Sequence, residues 1–552
     1  MTTTDRHDAA IADRKTDTVS RRHFLGGSAA FAGAATAIPT AGLTGNAEAA
    51  VIGQSRRQRR ANAFNLRINA AIDQWSQPVP RARDNGDDQR YRNKIGSFTK
   101  GLPHDEFGEV DRRAYRRLKQ ALRSQDDTRF EQIPMGGQRK LANPQATFAY
   151  SVEGADSHTI HMPAAPAFSD VDEIAEIVEV YWHALLRDVP FSQYDFHPDV
   201  AAAVDDLNQF AYFHRRYRGP VTPANLFRGE TAGDLVGPYI SQLLLKPVPF
   251  GAMTLEQRYR VDIAGLDFMT DYQEWLAVQR GDVPNQPILD TTSRYLSNGR
   301  HLGSYVHVDF SYQAYLNAAQ IIMGGLGINP WDPRLPYDFS ATQGRFVTFG
   351  AADLLSLIAK AAHEALKAAW FHKWQVHLRL RPETFGGRLQ LHMSGRRKYP
   401  IHESVNNVQV FDRTFSSYGN YLLPMAYPEG SPTHPAYPAG HATIAGACTT
   451  IMKAMFDEEH PVPDPVQASL RGLELTPFVG EPLTIGGELN KLANNIALGR
   501  DIAGVHWRTD GTEGLLVGEQ VAVGLLRDIK RTYNEAFDGF RFRGFAGDEI
   551  VV

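Results

Sequence analysis

The chain has a single cysteine, Cys448, among its 552 residues. That excludes an intramolecular disulfide framework and any paired-cysteine redox or zinc motif. Cys448 lies on an apolar face just after Gly446, which reads as a buried structural thiol. Charge of one sign is also lacking: 58 basic and 62 acidic residues leave a net −4, so no global field points to nucleic acid or to an acidic membrane. Beyond the N-terminal segment no stretch reaches ~18 uncharged apolar residues, so the mature chain is expected to be soluble and to need no membrane. Several catalytic motifs are missing as well. His363-Glu364 has no second histidine four residues on, which removes zinc-protease chemistry. Gly325-Leu326-Gly327 lacks the third glycine of a dinucleotide fingerprint, and neither a GxSxG elbow nor a Walker A loop occurs in the mature chain.

What is present begins with an address. Ser20-Arg21-Arg22-His23-Phe24-Leu25 is a twin-arginine pattern, followed by a Gly/Ala-rich stretch and Ala47-Glu48-Ala49. In that order they read as an export signal over residues 1–49, placing the mature protein in the periplasm or outside the cell. The whole chain is 43% hydrophobic, enough for a large core. Helical periodicity covers Val171–Leu186, Pro198–Tyr217, Leu255–Gln279, Tyr312–Gly324, Ala351–Arg379, Ala442–Phe456 and Gly514–Tyr533. Period-2 alternation is confined to short candidates near Thr147–Ser151 and Arg345–Thr348. The expected fold is mainly α and of helical-bundle type. Residues 50–165 are expected to form an N-terminal extension packing on the core, and residues 166–552 a helical catalytic domain.

Three segments place cations where hydrophobes belong. In the first, Leu355, Ile358, Ala362, Leu366 and Trp370 trace a helical stripe whose next position is Lys373, with Arg381 just before Pro382. A lone ammonium on a buried face is costly unless something pairs with it; read alone, Lys373 serves equally as a snorkelling lysine. In the second, Pro438-Ala439-Gly440-His441 opens an alanine-rich helix, whose unpaired N–H groups and dipole favour an anion. An ordinary turn with a surface histidine fits that stretch too. In the third, Leu492, Ile496 and Arg500 share a face, and His506 follows six residues on, about 120° away on an unbroken helix. For Arg500 and His506 to face one site the chain must bend, which Gly504 allows, and Asp510 is spaced to orient the imidazole. Together Lys373, Arg381 and Arg500, with His441, His506 and a donor-rich helix start, suit a compact tetrahedral oxyanion such as phosphate or vanadate.

The three segments, as Lys373…Arg381-Pro382, Pro438-Ala439-Gly440-His441 and Gly499-Arg500…His506…Asp510, resemble the signature of the vanadium-dependent haloperoxidase and type 2 acid phosphatase superfamily. His434, seven residues before His441, and "NKIGSFTKGLPHDEFGEVD" upstream resemble the algal and cyanobacterial bromoperoxidases in particular. The resemblance implies two four-helix bundles and a vanadate prosthetic group. It further implies that His506 bonds vanadium and that Lys373, Arg381, Arg500 and the Gly440 N–H hold its oxygens. His441 would be the acid–base group, supported by His434, and His372 and Trp374 are expected to tune halide choice. The implied reaction is oxidation of halide, bromide or iodide before chloride, by hydrogen peroxide, with halogenation of small organic substrates. A homo-oligomer is expected, because the relatives often assemble.

Two alternatives use the same residues. In a phosphatase His506 would be the nucleophile and His441 the general acid, although the long gaps between the three motifs differ from those of small phosphatases. A non-catalytic oxyanion-binding shell is the other. Ala439 keeps it open, because the family signature has serine there, and a hydrogen bond to a charged group contributes roughly 1.5–3 kcal/mol. The expectation is weaker vanadate retention rather than loss of function.

Overall fold

The structure, a computed structural model, describes residues 53–283 and 285–552. The export signal expected over residues 1–49 lies outside the described residues. By its internal contacts the chain divides into Met1–Asn62 and a compact unit, Ala63–Val552, and the site belongs to the latter.

Seven helices of that unit build or flank the site: α1 (Val171–Leu185), α2 (Gly299–Val308), α3 (Ala351–Phe371), α4 (Pro382–Met393), α5 (Gly440–Met455), α6 (Ile485–Ile502) and α7 (Arg508–Lys530). Helices α3, α5, α6 and α7 form one bundle. Helix α5 is its centre, buried along nearly its whole length. The alanines and glycines on α5 explain this position. A Cβ at Gly446 would fall 2.1 Å from the Leu515 carbonyl oxygen, and one at Gly518 2.1 Å from that of Thr443. Only hydrogen fits at either place, so α5 and α7 touch backbone to backbone. Helix α2 packs on α6, and α1 meets both α4 and α6.

Each end near the site has a local cause. Helix α3 runs into a π-helical turn, His372–His377, and ends at Leu378 with φ 47°. Arg381 is extended, and Pro382 takes the first position of α4. The left-handed Leu378 stops one helix and Pro382 starts the next, as its fixed φ and missing N–H allow at a first helical position. Helix α6 ends at Ile502, and Gly504 at φ 83° turns the chain; this is the bend that Arg500 and His506 require. Helix α7 starts at Arg508, six residues before Gly514, because the Asp510 carboxylate accepts the Trp507 backbone N–H at 3.1 Å, an acid in the first turn of a helix.

Some sequence expectations are corrected. The stripe on α3 is shifted: Leu354, Leu357, Ile358, Ala361, Ala362 and Ala365 are buried, while Leu355, Leu366 and Trp370 are half-buried at its edge. A helix covered by both α5 and α7 buries a wider arc than a one-sided stripe. The span Pro198–Tyr217 is two helices, Pro198–Leu207 and Ala211–Tyr217. Most of Leu255–Gln279 is not helical. Only Tyr272–Arg280 is, capped by the Asp271 carboxylate, and the residues before it bridge to other segments at Tyr259–Arg294 and Phe268–Met425. The two candidate strands do not form. Pro144–Phe148 is a 3-10 helix, and among the described residues the named strands are three two-stranded hairpins. No described helix is long and apolar enough to cross a membrane.

Candidate active site

The α6–α7 joint places His506 at the centre of the site. Its Nδ1 lies 2.7 Å from Asp510 Oδ2, and its Nε2 lies 2.9 Å from Arg381 Nη1. Arginine is always a donor here, so Nε2 presents its lone pair and Nδ1 carries the proton given to Asp510. Arg381 is shared between elements. Its Nε donates to the His434 carbonyl, Nη1 also donates to the Val505 carbonyl, and Nη2 lies 3.0 Å from His434 Nδ1. The loop before α5 and the α6–α7 joint are thereby held on one guanidinium.

Lys373 leaves the π-turn and donates only to the carbonyls of Pro435 and Ala436, both at 2.7 Å. Arg500 donates to the Val306 carbonyl at 2.6 Å and lies over the Tyr427 ring, and its buried Nε has no partner. Among the described residues none of these three cations forms a salt bridge. The nearby carboxylates serve others: Asp510 bonds Arg379 and His506, and Glu383 bonds Lys100.

The acid–base balance records the crowding. Burial, then Arg381 and Arg500, hold the Lys373 ammonium well below its ordinary range. Burial and Arg500 bring Arg381 down to about 9. Burial and the same cations hold His506 and His434 neutral, well below the usual imidazole range. Several buried positive groups that depress one another fit a multiply charged anion. The donor set fits vanadate: nitrogen donors for the oxygens, and one imidazole lone pair for the metal.

The second wall is the start of α5. Ala439 is the residue before the helix, fully buried and without a side-chain cap, while its own N–H is bonded to the Asp510 carbonyl at 2.8 Å. The Gly440 and His441 N–H groups follow, in the first turn, where no intrahelical acceptor exists. A Cβ on Gly440 would lie 3.6 Å from Leu366 and Trp370, which form the neighbouring wall, and Trp370 also packs against the His434 ring. His441 is the more open group, 30% exposed, with Nε2 2.9 Å from Asp309 Oδ1 just past the end of α2.

Lys373, Arg381, His434, Arg500, His506 and Asp510 are thus gathered, with Ala439 joined through the Asp510 carbonyl. His372 and Trp374 are not with them. Trp374 packs against Phe98 in a separate apolar cluster. His372 lies against His377 and near His161, and burial brings it down to about 4. Among the described residues neither side chain hydrogen-bonds or stacks with the cations or with His441. Both flank Lys373 in sequence, but adjacent positions on a helical turn point in different directions.

Behind His506 lies a group that the three motifs do not include. Arg379 donates to Asp510 Oδ1 at 2.9 Å, to Thr509 Oγ1 at 2.7 Å, to Glu173 Oε2 at 2.6 Å and to Glu176 Oε2 at 2.8 Å. Arg508 is clamped by Glu179, with distances of 2.5–3.0 Å. The three glutamates repeat every third residue on α1, inside an apolar run; that spacing was the readable signal for them. Asp309, 132 residues from His441, had none.

The family model described as the VCPO second helical-bundle domain matches residues 353–535. The vanadium-dependent bromoperoxidase of Corallina pilulifera is 35% identical, over 90% of this chain and 99% of the relative. That of Ascophyllum nodosum is 36% identical, over 82% of this chain and 86% of the relative. A solved structure, the homohexameric second vanadate-dependent bromoperoxidase of Ascophyllum nodosum, superposes with a TM-score of 0.86 at 31% identity, covering 93% of each chain. The chain belongs to the vanadium-dependent haloperoxidase family, among its bromoperoxidases.

Proposed function

We propose that the chain is a vanadate-dependent haloperoxidase that oxidises bromide with hydrogen peroxide, with His506 as the vanadium ligand. The observation that carries the reading is the convergence of buried cations without carboxylate partners around the Nε2 side of His506, in a chain of this family. In net terms bromide, hydrogen peroxide and one proton give hypobromous acid and water, and the acid halogenates electron-rich organic molecules. Bound vanadate supplies a V(V) Lewis acid that makes peroxide susceptible to attack by halide.

The protein's own groups do the rest. Lys373, Arg381, Arg500 and the Gly440 N–H hold the oxyanion and stabilise charge on its oxygens. Asp510 holds the His506 proton at Nδ1, so the Nε2 lone pair stays available. His441, partly exposed and oriented by Asp309, takes and returns protons at the mouth of the site. Arg381 orients His434 beside it. The chain is proposed to act as a homo-oligomer, as the solved relative does, and to be exported through its twin-arginine segment. The test incubates the metal-free chain with orthovanadate and measures peroxide-dependent bromide and iodide oxidation, with phenyl phosphate hydrolysis in parallel. Bromide oxidation that requires vanadate and is lost in His506→Ala is expected; phosphate-ester hydrolysis without halide oxidation would overturn the reading.

A further inference from the structure

His506 sits on a boundary between two electrostatic regions. On its Nε2 side are Lys373, Arg381 and Arg500; on its Nδ1 side is the group formed by Asp510, Arg379, Thr509, Glu176 and Glu173. Asp510 and Arg379 each have more than one partner. Asp510 accepts from the His506 N–H at Oδ2 and from the Arg379 guanidinium at Oδ1, so the two donors share its charge. Arg379 is in turn shared with the glutamates of α1. The more of the guanidinium's field the glutamates engage, the more of Asp510's charge remains for His506.

Glu176 is the better anchored of the two. Its Oε2 accepts from Arg379 and from the Thr509 hydroxyl at 2.9 Å. Its Oε1 accepts the Thr509 N–H at 3.1 Å and the Tyr212 hydroxyl. Thr509 is the neighbour of Asp510, so the same contacts also fix the first turn of α7. Glu173 keeps one oxygen without a partner, and burial pushes its carboxyl up to about 8, so it contributes less charge at neutral pH.

We infer that Glu176 is a positioning residue for His506. It shares the Arg379 guanidinium with Asp510 and anchors Thr509 beside it, and so holds the Asp510 carboxylate where it keeps His506 as the Nδ1–H tautomer with its Nε2 lone pair facing the oxyanion site. The inference rests on the reading of His506 as the vanadate-binding residue, and it assigns α1, an element outside the three motifs, a part in setting the cofactor's ligand.

The experiment uses the full chain, labelled with 15N-histidine, with and without orthovanadate. The His506 signals are assigned by their absence in His506→Ala. Vanadate-free protein should show His506 protonated at Nδ1 alone. Glu176→Gln should shift this signal towards a tautomer mixture and weaken orthovanadate binding, measured by equilibrium dialysis, about three- to tenfold. Tyr212→Phe, which removes a hydrogen bond from the same carboxylate but keeps its charge, should leave both within twofold. A general structural effect would instead move both variants together. If Glu176→Gln does not fold, Thr509→Val decides, since it deletes the hydroxyl linking Glu176 to Arg379 and should shift the same signal in the same direction. An Nε2–H tautomer in the parent, or unchanged spectra and affinity in the folded variant, overturns the inference. If the parent binds no orthovanadate the proposed function fails, yet the vanadate-free spectra still decide this point.

Discussion

Arg379 and Arg381 are two residues apart, both fully buried, and do opposite work. Arg379 donates to Glu173, Glu176 and Asp510, and these carboxylates raise its basicity well above the ordinary range. Arg381 donates to carbonyls and two imidazoles, and is brought down to about 9. The extended backbone from Arg379 to Arg381 sends alternate side chains to the same side in principle. Here the partners rather than the alternation distinguish them. A buried cation whose charge is matched by its own fold is a structural part. One whose charge is left unmatched is a binding part. Arg508 and Arg500 repeat the contrast, the first clamped by Glu179 and the second given one carbonyl together with the hydroxyl and aromatic face of Tyr427.

The contrast can be broken most severely at Arg379. Arg379→Gln leaves buried carboxylates without their cation, and breaking such a pair costs about 3–5 kcal/mol. A fall of that size in urea or thermal unfolding of the vanadate-free chain is expected. Arg381→Met should act mainly on binding. It should destabilise the vanadate-free chain much less than Arg379→Gln, since removing an unmatched buried charge offsets the hydrogen bonds lost to the His434 and Val505 carbonyls. Orthovanadate binding should nevertheless weaken at least about a hundredfold, because two donors to a charged group contribute roughly 1.5–3 kcal/mol each. Equal destabilisation by the two substitutions would dissolve the distinction between them.

Glu173 sharpens the acidic side. Its carboxyl is raised from 4.5 to about 8, so the folded chain keeps a proton that the unfolded chain gives up above pH 4.5. Stability from this group is therefore present below about pH 4.5 and is lost as pH rises towards 8. Thermal melts of the parent and Glu173→Gln at pH 5 and pH 8 should show the variant gaining on the parent at the higher pH, by up to a few kcal/mol. A gap that does not change with pH contradicts the assignment. The smallest effect is expected at the helix start: Ala439→Ser restores a hydroxyl before α5 and should tighten orthovanadate about ten- to a hundredfold. Equal affinity would mean that the hydroxyl has no oxygen to reach.

The same contrast explains how much was legible in the sequence. Lys373 and Arg500 reveal themselves because a charge on an apolar helical stripe is an anomaly of spacing, and Gly504 marks the bend that joins Arg500 to His506. Asp510 is local to His506 and was placed with it. Arg379 was passed over because a charged residue beside a helix end has no pattern of its own, and its partners lie more than 130 residues away on α7 and about 200 away on α1. Asp309 was invisible for the same reason. His372 and Trp374 were assigned by adjacency to Lys373, and in the structure their rings lie against His377 and Phe98. In the fold, the long helices were readable, whereas the 257–270 stretch was not, because its backbone partners come from distant segments.

The central claim is that the unmatched cations and the His506 lone pair together form a vanadate site rather than a general anion site. It is tested most directly by titrating the metal-free parent and His506→Ala with orthovanadate and, separately, with inorganic phosphate, by calorimetry at neutral pH. One vanadate per parent chain is predicted, with affinity falling at least about a hundredfold in His506→Ala, while phosphate, which needs only the cations, binds both proteins alike. Vanadate binding that is equally tight without the imidazole, or absent from the parent, would contradict the account.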